Sequence, residues 1–366
     1  MPITILELPV PADLDAPDAW LLHGLVDVTH EVLLDTWGNR DHHRTAAETL
    51  VGLRAQQYER KLRLVAVASD VADPSPAAVL GYAVLDLPMQ DNTHTGWLDV
   101  GVRPAHRGRG IGAALHDAGV ERARRLGRTT LVASTGHRQE PDPGPGALAP
   151  STGSGRVPAG DLSVRFVRAR GWQLEQVARY SVLDLPVDPA VLAAHRTAAE
   201  AVAGPDYRLV TWQDRCPEAW VEQFALLETR MSTDPPSGGL DVEEDRWDAA
   251  RIRTTEQVFA DRGLTFRVTA AEHVPTGTLA AFTALISPAA ELEAVHQHDT
   301  LVLREHRGRR LGMLVKVANL QRLAVEQPGA RRIGTWNAQE NEHMLAINVA
   351  LGFRPAGGSG EWQLRL

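Results

Sequence analysis

The sequence predicts an α/β protein of two tandem domains, each a mixed, mostly antiparallel sheet flanked by helices. Three observations carry this reading. A seven-residue motif occurs twice, as HRGRGIG at 106–112 and HRGRRLG at 306–312. A short β-like run precedes each copy, WLDVGV (97–102) and HDTLVL (298–303), and Asp99 or Asp299 stands eight residues before the first arginine of the motif. A helical pattern follows each copy: Ile111, Ala114, Leu115 and Ala118 share one face, as do Leu311, Leu314, Val315 and Ala318. Internal similarity of this kind is the mark of a duplicated folding unit.

The flanking elements correspond more loosely. TILELPV (4–10) and YRLVTW (207–212) read as opening strands, each followed by a helical segment, near 17–34 and 217–231. Strand pairs come next, LRLVAVASD with AVLGYAVLDLP and LTFRVTAAE with GTLAAFTALIS. After each motif helix comes a further β-like run, TTLVAST (129–135) and RIGTW (332–336), and later a Gly-aromatic pair, Gly171-Trp172 and Gly352-Phe353. The spacing from arginine to that pair is longer in the first copy because residues 137–160 are rich in Pro and Gly, which predicts a mobile surface insertion. Between the copies an Ala-rich stretch is bounded by Pro186 and Pro189 before and Gly204-Pro205 after, and reads as a linker helix. The expected boundaries are therefore 1–185, a helical linker at 186–205, and 206–366.

The totals agree with a soluble globular protein of this size. The 366 residues allow two cores, with one large α/β barrel as the alternative, and 43% hydrophobic with 23% charged residues is ordinary globular composition. A formal net charge of −8 argues against nucleic acid as the main partner. The single cysteine, Cys216, excludes an intrachain disulfide and suits a cytoplasmic location. No secretory leader or membrane span is expected, since no stretch is apolar for long enough. No metal-ligand pattern is present, so no metal is expected.

A glycine-rich junction between strand and helix exposes backbone N–H groups at a helix N-terminus, where the dipole favours an anion. Positive charge at that end opposes the dipole unless an anion binds. Arg107 and Arg109, and Arg307, Arg309 and Arg310, therefore point to a pyrophosphate cradle at each junction. The Lys-Ser/Thr end of a P-loop is missing, and so is the Gly-x-Gly-x-x-Gly of dinucleotide folds.

VRPAHRGRGIG (102–112) resembles the acetyl-CoA-binding motif of the GNAT acetyltransferases: Arg or Gln, two residues, Gly, one residue, then Gly or Ala. Arg107, Gly110 and Gly112 satisfy it. The second copy resembles the family most clearly in TWNAQENEHMLAINVALGFRP (335–355), with Asn341 and Gly352-Phe353 in the places of the late helix. As a tandem pair the chain resembles the actinobacterial members, of which mycothiol synthase is one architectural type. The resemblance implies two GNAT-fold domains with acetyl-CoA as co-substrate. It implies cofactor contacts from Val100, Val102, Arg107, Gly108, Arg109, Gly110, Ile111 and Gly112 in the first copy. In the second it implies contacts from Val302, Arg307, Gly308, Arg309, Arg310, Leu311, Gly312 and Asn341. The strand before the motif should splay from its neighbour. The implied reaction is direct transfer of acetyl to an amine with general-base help.

In this family the base is often a carboxylate on or near that strand, which makes Asp99 and Asp299 the matched candidates, with Glu293 and His298 beside them and His296 and His94 as further groups. The tyrosine that many members use as general acid is replaced by Val167 and Asn348, the late asparagine of the first copy falls at Gly160, and Arg310 breaks the phosphate pattern. Arg310 either crowds the cradle or swings out to add a charged contact. In the acidic stretch 231–253, Asp234 is the acid least explained by a helix start and is the candidate for holding a cationic acceptor. The expected partner is a small-molecule amine, with no nucleic acid and no membrane, and a homodimer is one expected assembly. A protein lysine acetyltransferase and a CoA-binding regulatory module that has lost catalysis remain the alternatives.

Overall fold

The computed structural model describes residues 2–69, 75–289 and 293–366. The chain forms two compact units that are not contiguous in sequence. The first comprises Met1–Ala178, Ser237–Val242 and Gly357–Leu366, and the second Arg179–Pro236 and Glu243–Ala356. The boundaries expected from sequence drew unbroken segments. The compact units instead give the last strand of the chain to the first unit.

In chain order, the first unit holds β1 (Ile3–Glu7), α1 (Trp20–Trp37), α2 (Ala46–Arg54), β2 (Glu59–Ala68), β3 (Val79–Pro88), β4 (Thr95–Val102), α3 (Ile111–Arg125), β5 (Thr130–His137), β6 (Ala147–Leu148), β7 (Val157–Pro158) and α4 (Leu162–Arg168). β8 (Gln173–Asp184) begins in the first unit and ends in the second. The second unit continues with α5 (Pro189–Ala203), β9 (Tyr207–Gln213), α6 (Val221–Met231), α7 (Ala249–Asp261), β10 (Leu264–His273), β11 (Thr278–Pro288), β12 (Ala294–Val302), α8 (Leu311–Glu326), β13 (Arg332–Ala338) and α9 (Glu342–Ala350). The last element is β14 (Arg354–Arg365).

In the first unit the sheet order is β1-β2-β3-β4-β5-β14. All pairings in it are antiparallel except β4 with β5. Period-two alternation divides β2 between two cores. Leu62, Leu64 and Ala66 pack with Ile111, Leu115, Leu131, Trp172 and Trp362 on the α3 side. Val65 and Val67 pack with Leu22, Val28, Leu50 and Tyr82 on the α1 and α2 side. The second unit repeats the plan as β9-β10-β11-β12-β13-β8, in which β12 and β13 pair in parallel and β9–β10, β10–β11 and β11–β12 are antiparallel. Its helices α6 and α7 cover one core through Phe224, Leu227 and Ile252. On the α8 side, Leu311, Leu314 and Val315 pack with Ala199, Ala203 and Ala281.

Two expectations need correction. The 137–160 segment is not a structureless insertion: Ala147 and Leu148 pair with Pro158 and Val157, and Val157 is 1% exposed within the main core. Composition counted the prolines and glycines and missed one apolar side chain that plugs into the unit. The helix read as a linker, α5, is an integral part of the second unit, where Ala199 is fully buried. Asp188 caps its start by accepting from the Ala190 N–H at 2.8 Å.

Candidate functional site

Each motif builds the same local geometry. In the first unit a 3-10 turn at Pro104–His106 leads into Arg107, then Gly108 (φ 75°) and Gly110 (φ 82°), and α3 starts at Ile111. In the second, a turn at Arg304–His306 leads into Arg307, Gly308 (φ 80°) and Arg310 (φ 55°), and α8 starts at Leu311. The Arg310 backbone thus adopts the same left-handed conformation as Gly110, so the substitution leaves the loop shape intact. The Arg310 side chain is exposed and has no hydrogen bond or ion pair among the described residues, so it neither crowds the loop nor braces it.

The N–H groups of residues 108–113 and 308–313 have no backbone acceptor among the described residues, as expected for a helix start. A methyl group built on Gly108, Gly110 or Gly308 would meet no heavy atom within 4 Å, so the loop is open on its Cβ side at these positions. Ile111 and Leu311 are 3% and 1% exposed, so their side chains belong to the core and only their amides face the loop. At Gly112 and Gly312 the late helix comes close: an added Cβ would lie 3.5 Å from Phe166 and 3.2 Å from Ile347. These features fit the pyrophosphate of a coenzyme A molecule, held by backbone amides and the helix dipole.

The first arginine of each motif has a different task from the one expected. Arg107 Nη1 donates to Asp35 Oδ2 at 2.6 Å, and its Nε donates to the Val102 carbonyl at 3.3 Å. Arg307 Nη2 donates to Asp234 Oδ2 at 3.0 Å, and its Nε to the Val302 carbonyl at 3.3 Å. Arg107 therefore ties the end of β4 to α1, and Arg307 ties the end of β12 to the stretch just after α6. Asp234 is also 3.7 Å from Arg304, which explains the acid that had no helix-start role. Its neighbours are likewise engaged: Glu244 with Arg230 at 2.9 Å, Asp245 with Arg251 at 3.8 Å, and Asp241 with Arg365 and with His94 at 3.5 Å. Arg109 donates to the Ala105 carbonyl, and Arg109 and Arg309 are exposed.

The central strands part where the chemistry is expected. β4 pairs with β5 only at Thr95–Thr130, Gly96–Leu131 and Trp97–Val132, and β12 pairs with β13 only at Ala294–Arg332, Val295–Ile333 and His296–Gly334. Val100, Val102 and Val302 lie on the stretches beyond those pairs. In the first unit the gap holds Asp99, which accepts from the Ser134 N–H at 3.2 Å. Burial, reinforced by Asp86, pushes the Asp99 carboxyl up to about 6, against the opposing Ser134 hydrogen bond and Arg63. On β14, Glu361 accepts from Ser359 Oγ at 2.5 Å and from Ser134 Oγ at 3.3 Å. Burial and then the Asp99 charge push it up to about 7, against the hydrogen bonds from the two serines. Both carboxyls retain some solvent-accessible surface, as groups deep in a cleft do. Tyr82 stands opposite Gly101 on β3 and hydrogen-bonds Thr29; burial and then Asp99 push its hydroxyl up to about 12. A side chain at Gly101 would run into the Tyr82 ring at 2.4 Å, which is why this position is glycine.

The other expected groups are placed as follows. Asp299 lies at the matching point of β12, with His298 Nε2 3.1 Å from its Oδ2. Glu293 precedes the far end of β12, exposed and 3.5 Å from Arg332; the strand rise separates it from Asp299 by about 20 Å. Asn341 caps α9 by accepting from the Met344 N–H at 3.2 Å. Its counterpart is Asp161, one residue beyond Gly160. Asp161 caps α4 from Ser163 at 2.8 Å and is held well below the usual carboxylate range, first by His137. At the missing-tyrosine positions Val167 is core, and Asn348 donates to Asn337 Oδ1 at 2.7 Å. The Cys216 thiol is buried and pushed up to about 12 by that burial, so it is inert.

Sequence reasoning missed Asp35, Tyr82, Ser134 and Glu361. Asp35 carried a signal: it precedes Arg107 by 72 residues, and Asp234 precedes Arg307 by 73. Among the described residues, no group of three His, Cys, Asp or Glu is placed to hold a metal ion, and no helix is long and apolar enough to cross a membrane.

Residues 29–141 match the model of the acetyltransferase (GNAT) family. A tandem GNAT protein from the clavulanic acid biosynthesis pathway superposes with a TM-score of 0.73 at 25% identity, over 100% of this chain and 98% of that one. A GCN5-related N-acetyltransferase from Sphaerobacter thermophilus gives 0.56 at 14% identity, over 99% and 95%. The N-myristoyltransferase of Saccharomyces cerevisiae, solved with myristoyl-CoA bound, gives 0.57 at 9%, over 99% and 80%. The last two share the fold alone. No curated protein matches by sequence.

Proposed function

We propose that the chain is a tandem GNAT acetyltransferase, on the match of residues 29–141 to that family and the superposition of the whole chain on a tandem GNAT protein, and that its first unit transfers an acetyl group from acetyl-CoA to a primary amine of a small molecule. Acyl-CoA-dependent acetyl transfer is the chemistry of this fold family. The observation that carries the finer reading is Asp99: a carboxyl in the gap between β4 and β5, with its pKa raised into the range of a useful base.

In this reading the Gly108–Gly112 amides hold the pyrophosphate and the free edge of β4 receives the rest of the coenzyme. Asp99, ionised, takes the proton of the attacking ammonium, directly or through water. A backbone N–H near Val102 steadies the tetrahedral oxyanion. Glu361 is the second carboxyl beside Asp99, and two such groups at one site cannot both ionise easily, so they share the proton load. Tyr82, whose hydroxyl feels the Asp99 charge, stays protonated at neutral pH, the state needed to return a proton to the departing thiolate. It takes the place of the tyrosine missing at Val167.

The test is thiol release from acetyl-CoA with a panel of small primary amines, alongside acetyl-CoA titration of the intact chain and of Gly110→Trp, with folding checked by circular dichroism. Turnover on at least one amine, with binding to the first unit lost in the variant, supports the reading. Tight acetyl-CoA binding with no turnover on any amine would convert the protein into a CoA-binding module.

A further inference from the structure

Beside the cradle of the second unit, two histidines and a tyrosine come together. His306 closes the turn that leads into Arg307. Its ring centroid lies 4.9 Å from that of His273, at the end of β10, with the two planes at 52°. Tyr207, at the start of β9, pairs with His273 in the sheet and packs on both rings, with centroids at 5.1 and 5.7 Å. All three residues are half-buried. His306 Nδ1 lies 2.8 Å from the Tyr207 hydroxyl, and His273 Nδ1 lies 2.8 Å from Thr276 Oγ1. Each of these oxygens can accept a ring N–H, and the tautomer so fixed leaves its lone pair on Nε2. Among the described residues neither Nε2 has a hydrogen-bond partner, and neither is shut off from solvent. Burial first, and then His273, lower the His306 pKa, with Arg309 acting the same way and Glu305 opposing, so this ring is neutral at neutral pH.

The strand registers show that only one copy carries this cluster. The β1–β2 pairing ends at Ile3 opposite Ala68, and β2 shifts register against β3 just after Ala66. The β9–β10 pairing ends at Tyr207 opposite His273, and β10 shifts register against β11 just after Ala271. Ile3 and Ala68 therefore hold the places of Tyr207 and His273. His106 holds the place of His306, and its Nδ1 is buried with no partner. The second unit thus adds both a second imidazole and the hydroxyl that orients the first.

We propose that His273 and His306 bind a divalent transition-metal ion of the zinc class through Nε2, with Tyr207 and Thr276 holding the two rings from behind and water completing the shell. With metal–nitrogen bonds of about 2.1 Å, two rings at this spacing subtend about 100° at a shared ion, between the octahedral and tetrahedral angles. Imidazole ligands select zinc, copper or nickel over magnesium and calcium. A hydroxyl behind each ring is the outer-shell partner that such ligands need. Among the described residues no third His, Cys, Asp or Glu joins the pair, so the site is open to water and unlike a closed structural zinc centre. The ion fastens the β9–β10 edge to the turn at Arg304–His306, and so to the start of the second cradle. The site stands whether or not the first unit transfers acetyl groups.

The experiment uses the intact chain, stripped with EDTA, and zinc chloride as probe near neutral pH, read by isothermal titration calorimetry and by melting temperature. The expected result is a saturable zinc site with a raised melting temperature. One zinc equivalent is lost in His273→Ala and in His306→Gln, and binding is about tenfold weaker in Tyr207→Phe. His273→Ala makes the choice that the first unit makes at Ala68, and Tyr207→Phe keeps the ring, so each removes a contact without removing packing. His43→Ala, at the stacked His30–His43 pair of the first unit, leaves the site unchanged. The proposal is overturned if zinc shows no saturable site, if the site survives in either histidine variant, or if Tyr207→Phe binds as tightly as wild type. It is equally overturned if His43→Ala removes the site, or if magnesium raises the melting temperature as much as zinc.

Discussion

The Ser134 N–H donates to Oδ1 of Asp99 at 3.2 Å, bridging the gap where β4 and β5 cease to pair. A strand amide that would ordinarily serve the sheet instead holds a carboxyl in the fork of two strands. The same serine's hydroxyl reaches Glu361 at 3.3 Å, so one residue positions both acids of the first unit.

Asp99→Asn should reduce turnover on the order of a hundredfold or more, the usual contribution of a positioned base. Because the base works ionised, wild-type activity should fall as pH drops through about 6. Steady-state rates of thiol release between pH 5 and 9 check this. An Asp99→Asn enzyme with the wild-type rate and profile would remove Asp99 from the chemistry.

The same two carboxyls set a stability cost. Their folded-state values, about 6 and about 7, lie above those of an unfolded chain. The folded state therefore binds the extra protons, and the stability they confer is full below about pH 4 and lost as pH rises through about 6 and 7. Glu361→Gln should raise the melting temperature at pH 8, by about 2 kcal/mol of stability, and change it little at pH 4. Thermal melts at the two pH values measure the difference.

Arg310→Gly should stabilise the second unit by about 1 kcal/mol, because arginine in the left-handed region carries a steric penalty that glycine lacks. Calorimetric melting of the variant against wild type reads this directly. No gain would mean that the exposed Arg310 side chain has a compensating role.

Removing residues 357–366 should unfold the first unit while the second survives. The deletion takes out β14 from Gly357 onward, and with it Trp362, which is 1% exposed and donates to Thr135 Oγ1 at 2.9 Å. Limited proteolysis followed by mass analysis should then show cleavage concentrated within 1–178 and protection of 179–356.

Much of the plan was readable because it is local. A strand, an arginine-glycine turn and a helix follow one another within Thr95–Arg125 and again within Ala294–Glu326. Their glycines, arginines and apolar periodicity specify them without reference to the rest of the chain. That is why both cradles, the matched Asp99 and Asp299, and the helix over 189–203 could be read from the letters. Arg310 was legible as a change but not as a consequence, since only the backbone angles reveal that the loop keeps its shape.

What the sequence by itself determined, then, is the duplicated strand–turn–helix unit and the acid placed eight residues before each arginine. The tertiary structure alone decided which acids meet. Glu361 reaches Ser134 from 227 positions away because β14 pairs with β5, and Asp35 and Asp234 reach their arginines because α1 and the stretch just after α6 lie against strand ends. Strand pairing and helix docking are set by the burial of whole faces, through contacts between residues far apart in the chain, and no window of sequence contains both partners of such a contact.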